Sequence, residues 1–139
     1  MSELDELMHA FGEAGGDRGV LADKETAHLA AGGHKILSMR GIEGLEVRAR
    51  ETFSGIDAKV VVKRGVKIKN PVHLCFGVLH KKGKQKIKMR VKLEEDSSAQ
   101  FIAHCLFPNA EKVRHIMDAV VEIGEGAEMR YSEVHYHGP

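Results

Sequence analysis

The sequence predicts a mainly β fold preceded by short helices, and three observations support this. The spacing of apolar residues changes near His34, from every third or fourth position to every second position. Residues 86–93 show the clearest alternation, with Lys or Arg at even positions and apolar residues at odd positions. Strand–turn–strand units also recur, as in Val91-Lys-Leu followed by Ala99-Gln-Phe and Val121-Glu-Ile followed by Ala127-Glu-Met. This arrangement is typical of a sandwich or of a stacked β-solenoid, and the spacing leaves both open.

The composition indicates one body in a reducing compartment. The chain has 139 residues, with 42% hydrophobic and 29% charged residues and a formal net charge of +1, so no overall field attracts nucleic acid or a membrane. No apolar run reaches membrane-spanning length, and the acidic N-terminus is unlike a signal peptide. The two cysteines lie outside paired motifs, which is typical of a reducing compartment. We therefore predict a cytoplasmic protein that binds neither nucleic acid nor membrane.

The N-terminal segment, residues 1–33, is expected to form a helical cap over one end of a β core at residues 34–139. Ser2 caps the first helix, with Asp5 three positions later and apolar residues at helical spacing behind it. A second, weaker helical pattern covers Lys24–Ala30 and ends at Gly32-Gly33.

The expected strands of the core are separated by Gly, Pro, Asn or Ser. They are Lys35–Met39, Leu45–Thr52, Lys59–Lys63, Val66–Lys69, Val72–Leu79, a strand through Ile87–Leu93, Ala99–Phe107, Ile116–Ile123 and Glu128–Tyr136. In a stack of this kind the terminal strand needs a cover. We therefore expect a homo-oligomer or another partner to cover Glu128–Tyr136.

Cys105 is the first candidate functional residue. On a strand it shares one face with Phe101 and Ala103, whereas His104 points to the opposite face. A buried cysteine is often an inert small apolar residue. A functional role requires a lowered pKa or a metal, because the thiolate is the reactive form.

Two further groups combine soft or imidazole ligands. His73 and Cys75 share a strand face and are a weaker candidate pair, with a half-buried thiol beside a surface imidazole as the alternative. Glu133, His135 and His137 share one face of the last expected strand, where two imidazoles and a carboxylate can converge on one ion. The alternative for that face is a solvated polar surface.

The cations between Lys81 and Lys92 lie on the polar face of an amphipathic strand. No aromatic residue is interleaved among them for base stacking. A solvated face explains them better than a nucleic-acid site.

Ordered blocks of this sequence resemble the SufB/SufD family, scaffold components of the SUF system for iron–sulfur cluster assembly, and especially its shorter archaeal-type members. The resemblance covers about residues 20–137 and corresponds to the N-terminal part of longer members. The blocks are Gly41-Ile-Glu-Gly-Leu-Glu-Val47, Val66-Lys-Ile-Lys-Asn-Pro-Val-His-Leu74, Ala103-His-Cys-Leu-Phe-Pro108, His115, Asp118-Ala-Val-Val-Glu-Ile123 and Gly126-Ala-Glu-Met-Arg-Tyr131.

The resemblance implies a right-handed parallel β-helix and assembly with a SufB/SufD-like paralogue and a SufC-like ABC ATPase. Cys105 matches the family cysteine associated with accepting or relaying sulfur, and His115 matches the histidine before the Ala-Val-Val-Glu strand. Family members continue through more coils and a C-terminal helical segment, so this sequence is expected to be a fragment or a reduced member. The ATPase contact belongs to the parts that are missing here.

The first hypothesis is a scaffold that holds a transient iron–sulfur cluster or iron, or that accepts sulfur, without turnover of its own. Cys105 is its central residue, assisted by His104, His115, Glu133, His135 or His137. The second hypothesis is a small cupin-like metal protein that uses Glu133, His135 and His137. The third is a purely structural β-solenoid subunit.

Overall fold

The structure is a computed structural model that describes residues 2–138, and it is mainly β, as predicted. Helix α1 spans Glu3–Glu13 and a 3₁₀ turn spans Arg18–Leu21; no helix follows among the residues described. The nine strands are β1 (His28–Gly32), β2 (Lys35–Arg40), β3 (Leu45–Glu51), β4 (Gly55–Val62), β5 (Val72–Gly77), β6 (Lys82–Leu93), β7 (Ser98–Leu106), β8 (Lys112–Ile123) and β9 (Glu128–Tyr136).

The strands form two sheets, and from β4 onward successive strands alternate between them. One sheet has the order β2-β1-β5-β7-β9 and the other β3-β4-β6-β8. The pairs β4–β6, β6–β8, β5–β7 and β7–β9 are parallel, and so is β1–β5. In the four parallel pairs from β4 onward, paired residues lie about 30 positions apart, so Val91 of one sequence repeat pairs with Val121 of the next. The alternation stacks successive strand–turn–strand units on one another.

The sheets are not wholly parallel, which corrects the expectation of an all-parallel stack. The pairs β1–β2 and β3–β4 are antiparallel. Each is joined by a short connection, and a tight turn can join only antiparallel neighbours. The mixed pairing is therefore confined to the strands that begin the two sheets.

The main core lies between the two sheets. It is built from the alternate, inward-facing residues of β1, β5 and β7 on one side and of β3, β4 and β6 on the other; examples are Leu74, Phe101, Val60 and Val91. The last strand of each sheet is more exposed: most of β8 and β9 is exposed or half-buried.

Helix α1 packs on the outward face of the five-stranded sheet. Ser2 and Asp5 form a capping box at its start, as predicted. Leu7, Ala10 and Phe11 are buried against the sheet, with Ala30, Cys75 and Leu106 among the residues beneath them. Gly77 permits this contact, because a Cβ atom there would lie 2.6 Å from the side chain of Leu7.

Two predicted elements are wrong. The helix expected over Lys24–Ala30 is absent, because residues from His28 onward enter the sheet as β1, whose five residues are all buried. The strand expected at Val66–Lys69 is reduced to one isolated bridge between Lys67 and Ser98. Gly65, with φ 74°, opens this stretch and Pro71 follows it, so little room is left for a ladder.

The structure also bears on the membrane question. None of the helices among residues 2–138 is long and apolar enough to cross a membrane.

Candidate metal centre between strands β7 and β9

Three ligand types meet where β7 and β9 run side by side. Cys105 is the register partner of His135, and Glu133 is the register partner of Ala103. One donor atom from each of Cys105, Glu133 and His135 lies within 4.8 Å of the other two. Because neighbouring parallel strands keep equivalent residues on the same face, the sheet itself brings the three side chains together.

Glu133 is the centre of this group. One of its oxygens lies 3.9 Å from the Cys105 Sγ and 3.4 Å from the Tyr131 hydroxyl, and the other lies 3.5 Å from the His135 Nε2. Glu133 and His135 are exposed, whereas Cys105 has no exposed surface. The site is therefore open on the β9 side and closed on the thiol side.

The Cys105 thiol is protonated in the metal-free site. Burial raises its pKa to about 12, and the neighbouring Glu133 carboxylate adds to that rise by its charge and its hydrogen bond. The pKa of Tyr131 is also raised, by burial first and then by Glu133. Burial is the larger cause of both shifts, and the Glu133 charge makes a second negative charge beside it less favourable still.

Three histidines surround a pocket next to this group. His115 of β8, His135 and His137 line it together with Phe107. The Phe107 ring lies 5.2 Å from the His115 ring and 5.5 Å from the His137 ring, measured between centroids. His115 thus comes from the opposite sheet and approaches the group that β7 and β9 supply.

Gln85 was not identified from the sequence, although it holds His115 in place. It is fully buried and its side-chain oxygen lies 3.0 Å from the His115 Nδ1. The sequence does contain a feature that points to Gln85. Position 85 continues the apolar face of β6, where the other residues are Ile87, Met89 and Val91. A polar residue at an apolar position of this kind needs an internal partner.

The remaining candidates lie elsewhere. His104, as predicted, points away from Cys105. Its ring packs against the Phe11 ring of α1, with 4.5 Å between the ring centroids. The His73 ring meets the same Phe11 ring edge to face, with 6.2 Å between the ring centroids. Cys75 lies in the apolar cluster under α1, and burial raises its pKa to about 12. The structure therefore does not bring the His73 and Cys75 pair or His104 to the Cys105 group.

Comparison with known proteins gives the family. An iron–sulfur cluster assembly SufBD family protein of Methanocaldococcus jannaschii is 40% identical over 104 residues, which are 75% of this chain and 33% of that protein. A protein of the same description from Pyrococcus horikoshii is 28% identical over 138 residues, which are 99% of this chain and 42% of that protein. By homology, the chain belongs to the SufBD family. No family model and no solved structure matches it.

The SufBD resemblance inferred from the sequence blocks is therefore confirmed. This SufBD chain spans between one third and about two fifths of the length of the curated relatives that it matches. Its thiol, carboxylate and imidazole form a donor set that suits iron and other borderline or soft cations. When a thiol ligates a metal, the cation displaces its proton, which is released to solvent, and this reverses the effect of burial on Cys105.

Proposed function

We propose that this chain acts in iron–sulfur cluster assembly by holding iron or a nascent cluster at Cys105, with Glu133 and His135 beside it. The observation that carries the proposal is the convergence of three donors of different chemistry within 4.8 Å. The iron or cluster is cargo that arrives and leaves. An exposed Glu133 and His135 give it a path from solvent, and the buried thiol gives it a strong anchor.

Holding iron or a cluster fits the site better than accepting sulfur at a free thiol. Sulfur transfer to Cys105 requires a thiolate nucleophile. Burial and Glu133 raise the pKa of Cys105 to about 12, so the thiolate is scarce near neutral pH. A bound cation removes this obstacle, because it displaces the proton and offsets the charge of Glu133. In our proposal sulfur acceptance follows metal binding: the Cys105 thiolate attacks the outer sulfur of a donor persulfide, a new S–S bond forms on Cys105, and the donor leaves as a thiolate.

We further propose that the stacked sheets form a right-handed parallel β-helix that serves as the scaffold. The alternation of β4 to β9 between two sheets, with parallel pairing within each sheet, is the connectivity of such a coil. Crossovers between parallel strands of one sheet are right-handed in about 98% of cases. This supports the handedness that the family resemblance implies.

The partners belong to the same proposal. The names of the relatives refer to iron–sulfur cluster assembly, and we propose that this chain pairs with a second copy or with a SufB/SufD-like paralogue in the cytoplasm. A SufC-like ABC ATPase would join through such a complex. The chain itself is proposed to have no enzymatic turnover.

The test is anaerobic reconstitution with iron and sulfide, followed by measurement of bound iron and acid-labile sulfide. We expect Cys105→Ser to lose most of the bound iron and sulfide, and Cys75→Ser to retain them. Cys75 is a matched control, because both cysteines are fully buried and the substitution is the same. Equal loading of Cys105→Ser and the parent would contradict the proposal.

A second variant guards against misfolding of Cys105→Ser, which circular dichroism would reveal. Glu133 is exposed, so Glu133→Gln should fold normally and still lower the iron content. If His137→Ala removes the metal and Cys105→Ser does not, the cupin-like alternative is correct. If no variant and no parent protein binds metal, the structural-subunit alternative is correct.

A further inference from the structure

We propose that Gln85 is a positioning residue that fixes the tautomer of His115, so that the His115 Nε2 presents a lone pair as an additional ligand beside Cys105, Glu133 and His135. The tautomer follows from the hydrogen bonds of Gln85 alone. The role as a ligand rests on the proposed function.

The orientation of the Gln85 amide is set by two backbone carbonyls. Its Nε2 donates to the Gly33 oxygen at 2.8 Å and to the Gly77 oxygen at 3.1 Å. Carbonyl oxygens only accept, so the NH₂ group must face them. Reversing the amide would place an oxygen against two oxygens in a site without solvent, since Gln85 is 0% exposed. The Gln85 Oε1 therefore faces the other way, toward β8.

This orientation decides which nitrogen of His115 carries the proton. The Gln85 Oε1 can only accept, and it lies 3.0 Å from the His115 Nδ1. The Nδ1 must therefore be protonated and donate to it. In a neutral imidazole the other nitrogen then has a lone pair and no proton. The His115 Nε2 is thus an acceptor or a metal ligand.

The His115 Nε2 is buried and has no hydrogen-bond partner within residues 2–138. A buried polar atom without a partner is unfavourable, so its presence calls for an explanation. His115 lines the same pocket as His135 and His137. His115 is not one of the three donors that lie within 4.8 Å of one another, but it lines the adjoining pocket with His135. An ion shared between that group and the pocket would supply the missing partner, and imidazole nitrogen suits iron as well as zinc.

The sheet register makes this arrangement rigid. Gln85 and His115 are paired residues of the parallel strands β6 and β8. The carbonyls that hold Gln85 belong to the turn after β1 and to the end of β5, both in the opposite sheet. Hydrogen bonds from outer residues to ligating histidines typically strengthen metal binding about 10–100-fold. Gln85 thus links His115, which lies in one sheet, to backbone carbonyls of the other sheet.

The tautomer is measured by long-range ¹H–¹⁵N correlation spectra of the metal-free protein at pH 8. We expect His115 to be protonated at Nδ1 in the parent protein, and to shift toward the Nε2-protonated form in Gln85→Met. Gln100→Met is the matched control, because Gln100 is exposed and lies on β7. An Nε2-protonated His115 in the parent protein overturns the inference without any variant.

The ligand role is measured by cobalt(II) titration, with the thiolate-to-cobalt absorption as the readout. We expect Gln85→Met and His115→Ala each to weaken cobalt binding 10–100-fold, while Gln100→Met stays within twofold. If cobalt binds through Cys105 with unchanged affinity in His115→Ala, the ligand role of His115 is wrong; if only Gln85→Met leaves the affinity unchanged, the positioning role of Gln85 is wrong. In both cases the proposed function stands. If Cys105→Ser binds cobalt as the parent does, the proposed function fails, while the tautomer result is unaffected.

Discussion

Three histidines form a covered row on the outward face of the five-stranded sheet. His28 and His73 are register partners on β1 and β5, and His104 lies on β7. His28 is 2% and His104 5% exposed, and each of the three has a buried Nδ1 without a partner among the described residues. A proton added to any of them would place a charge at a covered position, which the Asp17 carboxylate offsets in part at His73.

The pKa of each of these histidines is lowered below its ordinary value of 6.5, and burial is the main cause. The charge of Arg40 and the neighbouring His73 add to the shift of His28, His73 adds to that of His104, and Asp17 opposes the shift of His73. The unfolded chain therefore binds more protons than the folded one below pH 6.5. The stabilising effect is complete above that pH and is lost as the pH falls through 6.5 toward the lower folded pKa values.

We therefore expect the free energy of unfolding to fall over the window from pH 6.5 down to the lower pKa values of the folded protein. Each histidine contributes up to about 1.4 kcal/mol per pH unit in that window. The measurement is urea unfolding at a series of pH values. The double variant His73→Gln/His104→Gln should flatten the dependence, whereas His34→Gln/His80→Gln, at two exposed positions, should leave it unchanged. Equal slopes for all three proteins would refute this account.

At the level of single residues, the sequence can propose which residues form the candidate site, but it does not give their geometry. Alternation along one strand correctly separates Cys105 from His104, because neighbouring residues on a strand point to opposite faces. Alternation also places Glu133 and His135 together. It does not reveal that Cys105 faces His135, since that contact depends on the register between β7 and β9. The role of Gln85 depends likewise on backbone carbonyls from distant segments.

Helix α1 covers His73 and His104 of the histidine row, and Phe11 is its main anchor. The Phe11 ring is fully buried and meets the rings of His73 and His104 edge to face. At the end of the helix, Glu13 accepts a hydrogen bond from the Tyr136 hydroxyl of β9. The helix thus links the row to the strand that carries Glu133 and His135.

Removing this anchor should destabilise the protein strongly. Phe11→Ala leaves a cavity between the helix and the sheet, and changes of this kind cost about 3–5 kcal/mol. Hydrogen exchange should become faster in α1 and in β5 and β7 beneath it. Glu6→Ala on the exposed side of the same helix is the control. A loss below about 1 kcal/mol for Phe11→Ala would show that α1 is only loosely attached.

A predicted helix or strand is correct where the local sequence determines it, and wrong where contacts with distant segments determine it. The strand at Ile87–Leu93 is encoded by its own alternation, and the structure extends it to β6. Residues 24–30 have a helical pattern in isolation, but burial between β2 and β5 favours β1. Tertiary packing commonly overrides weak helix propensity in this way.

At the scale of the whole described structure, β8 and β9 form open edges of the two sheets. Within residues 2–138, β8 and β9 each pair with a strand on one side only. Apolar side chains are exposed on the same two strands: Val120 is 58%, Val121 44%, Ile123 53% and Tyr131 43% exposed. Unpaired backbone groups next to exposed apolar side chains favour pairing with another strand.

We expect a dimer, or a complex with a SufB/SufD-like partner, that covers β8 and β9. Val121 and Ile123 alternate in phase with Met117, which packs on the inter-sheet core, so a covering strand should extend that core over them. Ile123→Lys should then shift the sedimentation profile toward monomer, and Val121→Lys should do the same. Met39→Lys is the matched control, because Met39 is 44% exposed on β2, at the opposite edge of the five-stranded sheet. A parent protein that stays monomeric at high concentration would contradict self-association, and equal effects of Met39→Lys and Ile123→Lys would place the contact elsewhere.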